Sequence, residues 1–246
     1  MNNKLNITWC YPDILNLHGD RGNIMALKRV AQLLDIEVNI KKVENYDDEI
    51  DFENTDILFF NPGELKSVEY IIDSLEKQKK ELKKYIESNK VLIAIGTTGA
   101  VFSKRIKKIN SSDLVGLDFL DMNCVERENI LGDDLIVTLN DSNMQLNGSQ
   151  IQVVDTILNS DIGLASVDYG YGNNGYDKKV EGARYKNLIF TNLLGPLFVK
   201  NPWYAEEIIK IAMRNKKINI EDEIPESEFE IEYKSMESIK EYNEEK

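Results

Sequence analysis

The chain is poor in the residue types that usually carry chemistry. One histidine, His18, and two cysteines, Cys10 and Cys124, are spread over 246 residues. Two cysteines make no disulfide framework. Two cysteines and one histidine, with no C-x-x-C pair, cannot surround a zinc ion with soft ligands, so no metal is expected. No G-x-x-x-x-G-K-[ST] loop is present to cradle a phosphate, and no cofactor is expected. No apolar run approaches the roughly 20 residues of a membrane span. No basic-then-apolar leader opens the sequence. These absences predict a cytoplasmic chain without membrane insertion. The net charge of -13 repels phosphate backbones and argues against nucleic acid as a partner.

That charge is unevenly placed. Residues 221–246 hold eleven acids against three lysines and supply -8 of the total. The expected organisation is one domain over residues 1–217 followed by an acidic tail over 218–246. A solvated appendage is one reading of the tail. The other is an edge or partner-binding strand, because Phe229, Ile231 and Tyr233 alternate with acids.

What is present is a hydrophobic content of 42%, enough for a sizeable core. Over the first hundred residues strands and helices alternate. Strands are expected at 4–10, 36–43, 56–60 and 91–95. An amphipathic helix follows Asn23, a candidate cap, and a Lys-rich one spans 68–86. This alternation predicts a mostly parallel, doubly wound α/β sheet. Short alternating runs at 116–120, 123–127, 135–139 and 151–154 predict an antiparallel extension. A further strand is expected at 188–193. Pro202 opens a last helix to 215, with proline well placed in the first turn.

The centre of the chain is Val91-Leu92-Ile93-Ala94-Ile95-Gly96-Thr97-Thr98-Gly99-Ala100. A buried parallel strand enters a tight turn, and a short helix is expected over 100–109. Many α/β enzymes present a nucleophile at such an elbow. Here the tip is Gly96, which has no side chain. The turn could hold an anion on backbone N–H groups, or be purely structural. A Cys10–His18 dyad after the first strand is conceivable. So are a buried strand cysteine and a loop imidazole with no chemistry.

Four stretches carry a resemblance that spans nearly the whole chain. They are Tyr11-Pro12-Asp13-Ile14-Leu15-Asn16-Leu17-His18-Gly19-Asp20-Arg21-Gly22-Asn23-Ile24, the 91–99 elbow, Gly170-Tyr171-Gly172-Asn173-Asn174, and Gly195-Pro196-Leu197 with Lys200-Asn201-Pro202. Together they resemble class I glutamine amidotransferases of the cobyric-acid-synthase type, closest to the glutaminase subunits of lipid II isoglutaminyl synthase. The resemblance implies a three-layer, flavodoxin-like α/β fold with a mostly parallel central sheet and an antiparallel extension. It also implies a Mur-ligase-like synthetase as partner in a heterodimer for peptidoglycan precursor amidation.

The family elbow reads isoleucine, cysteine nucleophile, two glycines, an aromatic residue and glutamine. The cysteine position falls on Gly96, with Thr97 and Thr98 for the glycines. The family histidine precedes the Gly-Pro pair, and its position falls on Leu194. The glycine run after the third strand, which helps form the oxyanion hole, reads Asn61-Pro62-Gly63. Proline has no N–H to donate, so the hole is damaged if the donor belongs at 62 and survives if it belongs at 63. Glycine supplies no nucleophile and leucine moves no proton. The resemblance therefore implies a subunit without glutaminase activity. Two alternatives stay open. One is a small-molecule pocket using Thr97, Thr98, Asn61, Gly63 and Arg127, with Asn129 the other candidate for the arginine's place. The other is residual hydrolysis with Cys10 and His18, or with a threonine hydroxyl, as the relocated machinery.

Overall fold

The computed structural model describes residues 3–176 and 179–244. Its elements in chain order are β1 (Asn3–Cys10), α1 (Gly22–Leu33), β2 (Ile36–Val43), β3 (Ile57–Phe60), α2 (Leu65–Glu76), α3 (Lys79–Glu87), β4 (Val91–Ile95), a 3₁₀ helix (Gly96–Phe102) and β5 (Arg105–Lys107). There follow β6 (Leu114–Val115), β7 (Met122–Leu139), β8 (Gln145–Leu158), β9 (Ala165–Tyr169), β10 (Val180–Glu181), β11 (Ala183–Tyr185) and β12 (Leu188–Thr191). The chain closes with α4 (Leu197–Lys200), α5 (Pro202–Asn215), a 3₁₀ turn (Glu226–Phe229) and α6 (Glu230–Glu244).

The central sheet has the order β11-β12-β4-β3-β1-β2. Its inner strands pair in parallel, and only β11 runs antiparallel, at the edge. β3, β4 and β12 are buried along their whole length, as apolar runs covered on both faces must be. Alternate residues of each strand point to opposite sides. Ile57, Phe59, Val91, Ile93 and Ile95 join α1 and α5 in one core, whereas Leu58, Phe60, Leu92 and Ala94 join α2 and α3 in the other. This is the three-layer α/β architecture with a mostly parallel sheet.

The antiparallel extension is a second sheet of order β10-β9-β7-β5-β6, with β8 laid along β7. The expected runs at 123–127 and 135–139 are two ends of the single strand β7, which pairs with β8 on both sides of an irregularity between Glu126 and Leu131. The run at 116–120 is not a strand. Gly116 lies against the Ser103 carbonyl instead, where a Cβ would come within 2.1 Å of its oxygen.

Four other expectations are corrected. The helix at 100–109 is a 3₁₀ helix that begins at Gly96 and gives way to β5. The helix at 68–86 is two, α2 and α3, broken at Gln78. The Gln78 side chain accepts the Ile50 N–H (2.8 Å) and donates to the Asp48 carbonyl, which draws the chain off the helical path. Asn23 does not cap α1 but lies within it, and its Oδ1 accepts the Phe198 N–H at 2.8 Å. The tail is neither a strand nor a detached appendage through Glu244. Phe229 is buried in the α1/α5 core, Tyr233 stacks on Trp203 with ring centroids 4.4 Å apart, and Arg29 reaches both Glu232 and the Glu228 carbonyl.

Candidate functional site

The carboxyl ends of β3, β4 and β12 meet at one edge of the central sheet, where ligands bind in open α/β folds. At the end of β4 the chain turns on Gly96, which sits at φ +60°, a left-handed conformation that side chains resist. A Cβ placed on Gly96 would lie 3.3 Å from Leu194 Cδ2 and 3.2 Å from Pro62 Cβ. The glycine of the elbow, the leucine before Gly195-Pro196 and the proline after β3 therefore share one contact point. Leu194 is buried, and its N–H and carbonyl pair with Ser149 of β8, tying the two sheets together at the site.

The sequence motifs around this point act as scaffolding. The Asn23 amide donates to Asp20 Oδ1 at 3.0 Å. A Cβ on Gly22 would come within 2.7 Å of the Pro196 ring, so only glycine lets the loop close on Gly195-Pro196. Asn201 Oδ1 accepts the Asn147 N–H (2.8 Å) and its Nδ2 donates to the Asn147 carbonyl (2.7 Å), joining β8 to the helix pair. Asn173 makes the same two-way bridge to Gly182. Glu181 is fully buried and accepts from Thr191 Oγ1 (2.9 Å) and the Asn192 amide, fixing the turn into Leu194. Burial pushes the Glu181 carboxyl above the usual carboxylate range, and those hydrogen bonds offset part of that.

The expected binding residues are placed unevenly. Thr97 lines the cleft beside Gly96. Thr98 is buried with its hydroxyl donating back to the Ile95 carbonyl at 2.8 Å, which closes the 3₁₀ turn. Asn61 is fully buried. With its amide oriented by its neighbours it donates to the Asp20 carbonyl (3.0 Å) and accepts from Trp9 Nε1 (3.3 Å). Gly63 packs on Leu15, where a Cβ would come within 2.4 Å of Cδ2. Arg127 is ion-paired with Asp155 and donates to the Asn129 and Asn174 carbonyls, while Asn129 itself is exposed. Gly96 and Thr97 lie on the cleft, and the other four are engaged in internal contacts.

The cleft is small. Gly96, Thr97, Ala100, Cys124, Gln152 and Asn192 enclose a cavity of about 10 Å³, the space of a single water molecule. Gln152 lines this cavity, and the buried Gln150 side chain is hydrogen-bonded to Gln152 from the Gly172 side. Gln152 donates to the Asn173 carbonyl at 2.7 Å and accepts from Gln150. These two glutamines escaped sequence reasoning. Their spacing of two on a strand puts both side chains on one face, but it does not say which element that face meets.

Neither cysteine is poised to react. Cys124 borders the cavity, but burial pushes its thiol up to about 12, with the Ser103 and Thr156 side chains as its hydrogen-bonding neighbours. Cys10 is fully buried in the α2/α3 core and burial raises its thiol as well. His18 is exposed at φ +58°, and no hydrogen bond joins it to Cys10 among the described residues. The dyad is not assembled. Among the described residues no group of three or more His, Cys, Asp or Glu is placed to hold a metal ion. Among them, too, no helix is long and apolar enough to cross a membrane.

The fold is that of the class I glutamine amidotransferases. It superposes with a TM-score of 0.53 on a structure of PurLQS from Thermotoga maritima, over 84% of this chain and 98% of that one at 14% identity. It superposes with 0.52 on the glutaminase domain of Trypanosoma brucei CTPS, over 90% and 96% at 10% identity. No family model matches the chain. Two curated relatives are more specific, both lipid II isoglutaminyl synthase (glutamine-hydrolyzing) subunits GatD. The one from Staphylococcus aureus is 32% identical over 234 residues, 95% of this chain and 94% of the relative. The one from Streptococcus pneumoniae is 29% identical over 216 residues, 87% of this chain and 82% of the relative. The chain belongs to the GatD family.

Proposed function

We propose that this chain is a GatD-like subunit that no longer hydrolyses glutamine and instead supports a Mur-ligase-like synthetase in the amidation of lipid II, in the cytoplasm. The observation that carries the reading is the proximity of positions 96 and 194: a Cβ on Gly96 would lie 3.3 Å from Leu194 Cδ2. By resemblance these positions belong to the nucleophile and its base, and they adjoin as such a pair must. Glutamine hydrolysis by this route needs a thiolate to attack the carboxamide carbon and a base to hold the thiol proton. A bare backbone and an isobutyl group supply neither. Losing both members of a catalytic unit leaves only what binding and the oxyanion hole provide. The cavity of about 10 Å³ supports the same reading, since it has no room for an amino acid. That volume also weighs against a small-molecule pocket at this position.

The test has two arms. The purified chain is incubated with glutamine and released ammonia is followed, with a GatD that retains cysteine and histidine at these positions as the active reference. The expected result is no release above buffer. In the second arm the chain is co-expressed with the Mur-ligase-like protein of its own genome and is expected to co-purify with it in equal amounts. Glutamine-dependent ammonia release overturns the first half of the proposal, and failure to associate at micromolar concentration overturns the second.

A further inference from the structure

The lysine-rich helix noted in the sequence has no part in the site described above, and its position in the fold gives it a role of its own. Residues 77–90 contain six lysines against Glu81 and Glu87, a net charge of +4 in a chain of -13. Leu82, Tyr85 and Ile86 anchor α3 in the α2/α3 core, so its other side faces outward. Lys77 and Lys79 are paired with Asp47 and Glu76. Lys80, Lys83 and Lys84 are exposed and make no ion pair within 4 Å among the described residues. Lys80 and Lys83 stand along an open groove of about 740 Å³ that Glu76, Glu87 and Asp118 also line and whose other wall carries Leu117, Phe119 and Tyr185, while Lys84 lies on the neighbouring side of α3 beside Phe52 and Glu53.

The acidic tail lies on the opposite side of the molecule. Phe229 and Tyr233 pack into the α1/α5 core, across the central sheet from α3. The sheet therefore separates a segment of -8 from a segment of +4. A charge distribution of this kind orients a protein near an anionic surface even when its total charge is negative, because attraction of the near face outweighs screened repulsion of the far one.

We propose that the α3 face is a peripheral contact surface for an anionic lipid bilayer, with Lys80, Lys83 and Lys84 on the headgroups and Phe119 and Tyr185 at the headgroup level. The choice of a bilayer rests on the proposed role in lipid II amidation, since a lipid substrate is presented at a membrane. The contact is electrostatic and reversible. Each lysine near such a surface contributes about fivefold in affinity, so three together are worth about 100-fold.

The experiment is flotation of the full chain with vesicles of phosphatidylglycerol and phosphatidylcholine in equal parts, against pure phosphatidylcholine. It is run at about 0.02 M and about 0.3 M NaCl, on either side of the salt at which screening reaches about 10 Å. Binding is expected to the anionic vesicles at low salt only. The variant Lys80→Glu/Lys83→Glu/Lys84→Glu is expected to lose it by about 100-fold. Lys28→Glu/Lys234→Glu/Lys240→Glu makes the same change in total charge on the α1/α6 side and is expected to keep it. Circular dichroism confirms that both variants are folded. Absence of low-salt binding overturns the inference. So does equal loss in both variants, which reports total charge alone, and so does capture of polyglutamate or duplex DNA without vesicles. Co-purification with the synthetase is scored separately, so a vesicle failure with that association intact removes the bilayer contact and leaves the subunit reading standing.

Discussion

Gly96 turns in the left-handed region at the end of β4, and in the proposed reading it and Leu194 stand at the vacated nucleophile and base positions. A Cβ at 96 needs a few tenths of an ångström from the end of Leu194 and from the Pro62 ring at Cβ, plus roughly 1 kcal/mol for the left-handed backbone. Gly96→Cys should therefore fold. Its thiol, set against leucine and proline, is expected to alkylate slowly with iodoacetamide at pH 7. Adding Leu194→His places an imidazole beside that sulfur and draws off its proton, so the double variant is expected to alkylate at least about tenfold faster. Equal rates would show that side chains at 96 and 194 do not meet.

Asp20 gives a second test at this scale. It is fully buried and its Oδ2 has no hydrogen-bond partner. Burial pushes its carboxyl up to about 7, against the partial offset of Asn23, the Gly195 N–H and the Lys200 charge. A carboxyl raised in the folded state binds its proton more tightly than in the unfolded chain. Its contribution to stability is therefore greatest below about pH 4 and falls as the pH rises through 7. Asp20→Asn stays neutral throughout. Relative to the parent chain, it is expected to gain on the order of 2 kcal/mol between pH 5 and pH 8, read from urea denaturation midpoints. A stability difference that does not change with pH would mean that Asp20 is ionised in the folded protein.

At the scale of elements, the tail shows where sequence reading succeeds and where it fails. Phe229, Ile231 and Tyr233 alternate with acids as a strand would. Yet Phe229, Tyr233 and Met236 are also spaced four and then three apart, which is one face of a helix. A short run satisfies both periods, and packing decides between them: Phe229 enters the α1/α5 core with Tyr233 against it and Met236 is buried, while Ile231 points to solvent. Short strands buried along their whole length were legible because burial on both faces leaves little alternative. The β3, β4 and β12 strands stand close to where they were expected. Long-range features were not legible, since Gln78 breaks its helix through contacts with residues 48 and 50, and β7 becomes one strand only by pairing with β8. At the site, Gly96, Leu194 and Pro62 were found through resemblance to a motif. The roles of Gln150 and Gln152 depend on β8 crossing the elbow, which no local pattern encodes. Phe229→Ala is expected to cost about 3–4 kcal/mol, because it empties a packed site. Tyr233→Ala should cost about 1 kcal/mol for the lost stack on Trp203. Both appear as lowered urea midpoints in a single transition, and an unchanged midpoint for Phe229→Ala would mean that the tail is not part of the core.

For the molecule as a whole, the proposed reading raises the question of how an amidating complex would obtain nitrogen if this subunit supplies none. In the proposed reading the docking body is intact: the sheets are bridged at Leu194 and Ser149, and the loop from His18 to Asn23 is closed on Pro196. Only the chemistry at the elbow is missing, so the synthetase must accept ammonia from solution. Ammonia attacks as the free base, whereas ammonium has no lone pair. The reconstituted complex is therefore expected to amidate its lipid substrate when given an ammonium salt and to give no product with glutamine alone. At fixed total ammonium its rate should rise with pH across the neutral range, as the free-base fraction grows. Replacing this chain with a GatD that retains the cysteine and histidine, on the same synthetase, should restore use of glutamine and flatten that pH dependence, because ammonia is then made inside the complex. Mass spectrometry of the lipid product distinguishes the cases. Amidation supported equally by glutamine and by ammonium, with this chain as the only subunit present, would place a working nucleophile somewhere in it and end the account of Gly96 and Leu194 given above.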